Sequence, residues 1–198
     1  MGRIEYQKKM TTGKYILNIG CGDLPVDFGP GAINLDIDWW DVPNFLHADC
    51  TKLPFGDKWF DCAVLGDVLE HCAMPGMAVR EAARVAKRLV LTIPEETTLP
   101  SVGQHISIGI SERAKEYRKQ HNFNPLHMTD DQVIDYHKRL CHHFIRSVPE
   151  SEVPHDGHIN RFDEETIKLL VTSTGMKTVD YRKEPEGYWF NWLITLED

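Results

Sequence analysis

Short apolar runs alternate with polar and glycine-rich intervals through the first half of this chain. Tyr15-Ile16-Leu17-Asn18-Ile19, Ile33-Asn34-Leu35-Asp36-Ile37-Asp38, Trp59-Phe60-Asp61-Cys62-Ala63-Val64 and Arg88-Leu89-Val90-Leu91-Thr92-Ile93 are too short for stable helices. They predict strands near 15–20, 32–38, 61–66 and 88–93. From Gly76 to Lys87 the period changes: Ala78, Val79, Ala82, Val85 and Ala86 share one stripe, with Arg80, Glu81, Arg84 and Lys87 opposite. That is an amphipathic crossover helix. Strands alternating with helices imply an α/β fold with a mostly parallel sheet, whose ligands bind beyond the carboxyl ends of the strands. Residues 1 to 13 read as a polar lead-in.

Residues 97–160 break the rhythm, and connections this long in compact domains are functional lids or small subdomains. Thr129-Asp130-Asp131-Gln132 forms a capping box, followed by Val133, His137, Leu140, Cys141 and Phe144 at helical spacing. A helix is expected over about 130–146, with a shorter one capped by Ser111. The stretch reads as a helical cap inserted into a single domain spanning 1–198. Further on, Phe162 and Ile167 staple a helix capped by Asp163 and ended by Gly175. Two strands, Lys177–Lys183 and Tyr188–Leu196, close the pattern. There is no internal repeat.

The chemistry concentrates where the first strand ends. Gly20-Cys21-Gly22-Asp23 makes a turn that lets a ligand approach the backbone, and an acid at the tip of the neighbouring strand can accept both hydroxyls of a ribose. A dinucleotide site would continue as Gly-x-Gly-x-x-Gly into a helix whose amides hold pyrophosphate. Here Pro25 takes the third position and Pro30 lies between Gly29 and Gly31. Proline inside a helix costs roughly 3 kcal/mol, so no full helix fits there. A nucleoside without phosphate is favoured, and S-adenosylmethionine (SAM) is the common cofactor of that kind.

The segment Asn18-Ile19-Gly20-Cys21-Gly22 resembles the first motif of class I SAM-dependent methyltransferases, with Asn18 where many members carry an acid. The resemblance continues in order. His47-Ala48-Asp49-Cys50-Thr51-Lys52-Leu53-Pro54-Phe55, then Phe60-Asp61, then Gly66-Asp67-Val68-Leu69-Glu70-His71 match that family's later blocks, the last being the Leu-Glu-His block of its type 11 branch. It implies a Rossmann-like, doubly wound sheet into which the final hairpin inserts an antiparallel strand. It also implies a cofactor site built from Asn18, Gly20, Cys21, Gly22, Asp36, Ile37, Asp49, Cys50 and Asp67. Asp36 would bind the ribose and Asp49 the adenine amine, with Ile37 and Cys50 against the ring faces and Asp67 at the methionine end. Asp38, on the same strand face as Asp36, is the competitor for the ribose. Trp39 and Trp40 are left to packing, and Asp61, at the far end of its strand, reads as structural.

For an oxygen acceptor a general base helps, and histidine titrates in the useful range. His71 stands near the cofactor by motif position. His158, in Pro154-His155-Asp156-Gly157-His158, lies where many small-molecule and glycan methyltransferases carry a histidine before the last helix. The expected reaction is methylation of a small-molecule or glycan acceptor, more readily on oxygen, because the Asn/Asp-Pro-Pro-aromatic tetrad of nucleic-acid amino-methyltransferases is replaced by Gly66-Asp67-Val68-Leu69. Two rivals remain: a SAM- or nucleoside-binding module without turnover, and a metal-dependent hydrolase. His137 and Cys141, four apart on a helix, could chelate, but they continue the apolar stripe and lack a second tight pair.

Composition narrows the partners. With 198 residues, 41% hydrophobic and 26% charged, the chain suits one soluble domain, and its formal charge of -8 with dispersed basic residues repels nucleic acid. No apolar signal core or membrane span is visible, and Tyr6 stands where a myristoylation motif wants Ser or Thr, so a cytoplasmic protein is expected. Five cysteines without paired spacing fit reduced thiols.

Overall fold

The apolar runs become the centre of a seven-stranded sheet. The computed structural model describes residues 1–72, 74–95, 162–186 and 189–198. Its strands are β1 (Ile16–Ile19), β2 (Ala32–Asp36), β3 (Phe45–His47), β4 (Cys62–Gly66), β5 (Arg88–Glu95), β6 (Lys177–Glu186) and β7 (Trp189–Glu197), in the order β3-β2-β1-β4-β5-β7-β6. The first five are parallel, and β7 enters antiparallel between β5 and β6. All four residues of β1 are buried, as a central parallel strand covered on both faces must be. Ile19 lies level with Leu35 on one side and Leu65 on the other. The segments that follow β1, β2 and β4 therefore emerge together at one edge.

Among the described residues, three helices wind on both faces. α2 (Pro75–Val85) buries Ala78, Val79, Ala82, Ala83 and Val85, and packs with α3 (Glu164–Ser173) on the larger core. Pro75 at its first position is tolerated because that N–H has no helical partner. The helix stops at Val85, since Ala86 bridges to Phe60. α3 forms as its sequence directs: the Asp163 carboxylate accepts from Thr166 N at 2.8 Å, with Phe162 and Ile167 both buried.

The lead-in is not irregular. Arg3–Met10 form helix α1, which covers the other face through buried Tyr6 and Gln7. Tyr6 Oη bonds Thr195 Oγ1 at 2.8 Å, and Gln7 Nε2 donates to Thr92 Oγ1 at 2.8 Å. α1 runs against the strands: Gln7 sits beside Gly66 at the carboxyl ends, while Met10 O accepts from Arg88 at the start of β5. Its polar composition hid it from periodicity, because tertiary contacts rather than an apolar stripe hold it. Strand β3 carries no periodic signal either. It is three half-buried residues at the sheet edge, too short for an alternation to show.

Two further expectations hold. None of residues 20–31 is helical. The Asp61 carboxylate, at the amino ends of the strands, accepts from Lys14 N (2.9 Å) and Tyr15 N (3.1 Å) and meets Lys87 Nζ at 3.1 Å. Those backbone donors, and then Lys87, hold its pKa down to about 2. A depressed acid stabilises the fold above its unfolded pKa near 3.9 and loses that contribution as pH falls towards 2. Asp61→Asn should thus lower the melting temperature at neutral pH, with the gap from wild type closing between about pH 4 and 2; a pH-independent gap would refute a role for the charge.

The Leu53-Pro54-Phe55 block is a structural joint. Glu81 accepts from Leu53 N, while Arg84 donates to Leu53 O and Phe55 O and pairs with Glu81 and Asp57. No helix among the described residues is long and apolar enough to cross a membrane. The expected cap over 97–160, with its helices at 111–121 and 130–146, lies outside the described residues.

Candidate functional site

The turn Gly20 to Gly22, Asp36 and Asp67 stand at the carboxyl ends of β1, β2 and β4, which lie level in the sheet. Gly20 N and Cys21 N both donate to Leu35 O, at 2.7 and 3.1 Å, which ties the turn to the end of β2. Gly20 and Gly22 adopt φ of 67° and 61°, the left-handed region that favours glycine. Gly22 N donates to Asp36 Oδ2 at 2.9 Å. The other carboxylate oxygen of Asp36 accepts from Asp38 N at 3.0 Å, and Asp38 itself is exposed. The acid at the strand tip is therefore aimed at the glycine turn, and its exposed competitor is not part of that contact.

Around the turn the two glycines differ. A side chain at Gly22 would enter open space, whereas a Cβ at Gly20 would collide with Val68 Cγ2. The tight approach at Gly20 is thus made by the protein's own Val68, and the open side lies at Gly22. Cys21, between them, is buried, and burial together with the Asp36 charge pushes its thiol up to about 11.

Asn18 is 6% exposed and faces the neighbouring strand, its Nδ2 donating to Asn34 Oδ1 at 2.9 Å. Asn34 in turn donates to Pro43 O. This amide chain braces β1, β2 and the loop before β3. Asp49 is also 6% exposed, buried rather than on a surface loop. Its Oδ1 accepts from Thr51 N and Thr51 Oγ1, both at 2.7 Å, so it shapes the turn it belongs to. Cys50 and Cys72 are buried with their sulfurs 3.7 Å apart. Ile37 is half-buried beside Asp36.

Asp67 follows β4 with φ of 56°. Its carboxylate accepts from Thr92 Oγ1 at 3.1 Å and pairs with Arg3 Nε at 2.7 Å. No motif in the polar lead-in points to Arg3; the antiparallel run of α1 is what carries it over the strand ends. His71 closes the short 3₁₀ turn Leu69–His71 that follows, half-buried, its N–H bonded to Val68 O. Trp39, 75% exposed, stacks on His47 with ring centroids 4.8 Å apart and planes 17° apart. His158, His155, His137 and Cys141 lie outside the described residues. No group of three His, Cys, Asp or Glu side chains placed to hold a metal occurs among the described ones.

Comparison with known proteins finds the same fold. Residues 24–91 match the sequence model of a methyltransferase domain family. A SAM-dependent methyltransferase of Methanosarcina mazei superposes with a TM-score of 0.61 at 14% identity, covering 94% of each chain. The [4+2]-cyclase SpnF gives 0.55 at 12% identity, over 98% of this chain and 79% of that one. The 1,6-didemethyltoxoflavin-N1-methyltransferase of Burkholderia thailandensis, bound to its substrate and S-adenosylhomocysteine, gives 0.52 at 12% identity, over 93% and 70%. No curated protein matches the chain by sequence.

Proposed function

We propose that this class I SAM-dependent methyltransferase moves the methyl group of SAM onto a small-molecule or glycan acceptor, with oxygen as the atom methylated. The observation that carries the cofactor reading is the Gly22 amide bonded to the Asp36 carboxylate, beside open space at the carboxyl ends of the strands. A glycine turn with room beyond it, facing an acid that can accept from a ribose diol, fits a nucleoside. Asp49 and Cys50, one strand further on, would meet the adenine, with Ile37 against the ring. Bound SAM supplies an electrophilic methyl on a sulfonium; the chain's own residues hold, orient and keep water out.

At the methionine end, Arg3 and Asp67 present opposite charges side by side, a pair complementary to an α-amino acid zwitterion. Arg3 would take the carboxylate and Asp67 the ammonium. Arg3→Ala should then weaken S-adenosylhomocysteine severalfold and leave 5′-methylthioadenosine, which lacks the amino acid, unchanged. The melting temperature should barely move, because a partly exposed ion pair contributes about 0–1 kcal/mol. Equal loss for both ligands would count against this assignment.

On the acceptor side, Gly66-Asp67-Val68-Leu69 in place of an amino-methyltransferase tetrad supports oxygen, with His158 or His71 as base. The N1 specificity of the Burkholderia neighbour makes nitrogen the atom to test beside it. A second reading, SAM binding without methyl transfer, draws on the neighbour that is a cyclase. Transfer of radiolabelled methyl from SAM to a panel of small hydroxyl and amine acceptors separates these. Tight S-adenosylhomocysteine binding with no transfer to any acceptor would favour the second reading, and absence of binding would remove both.

A further inference from the structure

We propose that His47 is a positioning residue for nucleoside binding: it braces the turn after Asp36, and so sets where the ribose-binding carboxylate stands. The proposal rests on the cofactor reading above. His47 is the last residue of β3 and lies level with Asp36 in the parallel pair β2–β3. Its Nε2 is 2.7 Å from Ile37 O, and since a carbonyl only accepts, Nε2 carries the proton and donates. The following residue adds a second tie, Ala48 N to Asp36 O at 3.0 Å. Trp39 then closes over the imidazole ring from outside, stacked nearly parallel to it, and touches Phe45 at 5.7 Å between centroids.

The consequence is geometric. The turn Asp36–Trp39 is held from within by the Asp36 carboxylate on Asp38 N, and from the sheet edge by His47 on Ile37 O. The Asp36 oxygen that faces Gly22 depends on both. The same histidine lies two residues before Asp49, so a single side chain links the acid read as the ribose partner to the segment read as the adenine partner. The stacked indole of Trp39, itself largely exposed, holds the plane of the imidazole that makes this hydrogen bond.

The test is a ligand cycle by calorimetry, using S-adenosylhomocysteine and its 2′,3′-dideoxy analogue. If His47 works through Asp36 on the ribose, His47→Ala should weaken S-adenosylhomocysteine about fivefold to tenfold and the dideoxy compound less than about twofold. His47→Gln, whose amide N–H can reach the same carbonyl, should recover most of the loss. A merely structural role would penalise both ligands alike, so equal losses, or no loss, would overturn the proposal. If His47→Ala does not fold, Trp39→Leu carries the same comparison from the other side of the stack. Wild-type protein that binds neither ligand would reject the nucleoside reading itself, a result distinct from the equal-loss outcome.

Discussion

Gly20→Val is expected to abolish cofactor binding by destabilising the site itself. The sequence alone places the branched side chain in the space of the methionine moiety, with the fold surviving only if the turn's dihedral angles tolerate Val. The structure corrects that reason: at φ of 67° a Val side chain is strained, and its first neighbour is Val68 of the same chain. The left-handed backbone costs about 1–2 kcal/mol for a residue with a side chain, and overpacking against Val68 adds about 1–3. Together they predict a melting temperature lower by roughly 5–20 °C. The two parts separate experimentally. Pairing Gly20→Ala with Val68→Ala should recover the steric share and leave the backbone share. A Gly20→Val protein that melts with wild type, whatever its binding, would show that this turn is not built as described.

Asp36→Ala should weaken S-adenosylhomocysteine by about 1.5–3 kcal/mol, or about 10- to 150-fold, the scale for hydrogen bonds to a charged acceptor. Two effects act in the same direction. The ribose loses its acceptor, and Gly22 N and Asp38 N lose theirs, so the turn and the strand tip are no longer tied together. Asp38→Ala removes an exposed carboxylate and should change affinity by less than about threefold. Isothermal titration on both variants decides. A larger loss at Asp38 would transfer the ribose role two residues along the chain and leave the Asp36 contact as a purely structural tie.

The ease with which this chain could be read follows from where its information is local. β1, β2, β4 and β5 are short, mostly apolar runs because a parallel strand is covered on both faces, and such runs need no partner to be recognised. Asp163 with its staple marked a helix start for the same reason: capping is a contact between residues three and four apart. The glycine turn, Asp36, Asp49 and Asp67 were legible as ordered blocks along the chain.

What the sequence left hidden arises from contacts between distant residues. α1 has no apolar stripe, and contacts far along the chain, among them the bonds to Thr92 and Thr195, make Gln7 and Tyr6 interior residues. Arg3 reaches Asp67 because α1 runs antiparallel to the strands, a direction no periodicity encodes. The burial of Asp49 and its bonds to Thr51 appear only once its turn is folded inward, and the space beside Gly20 is filled only when Val68 is brought against it. The class of fold and the order of its cofactor blocks were thus inherent in the chain, since burial pattern and turn chemistry act over a few residues. Which side chains face one another across the strand ends was decided only by the register of Ile19 with Leu35 and Leu65, and by the helix laid across them.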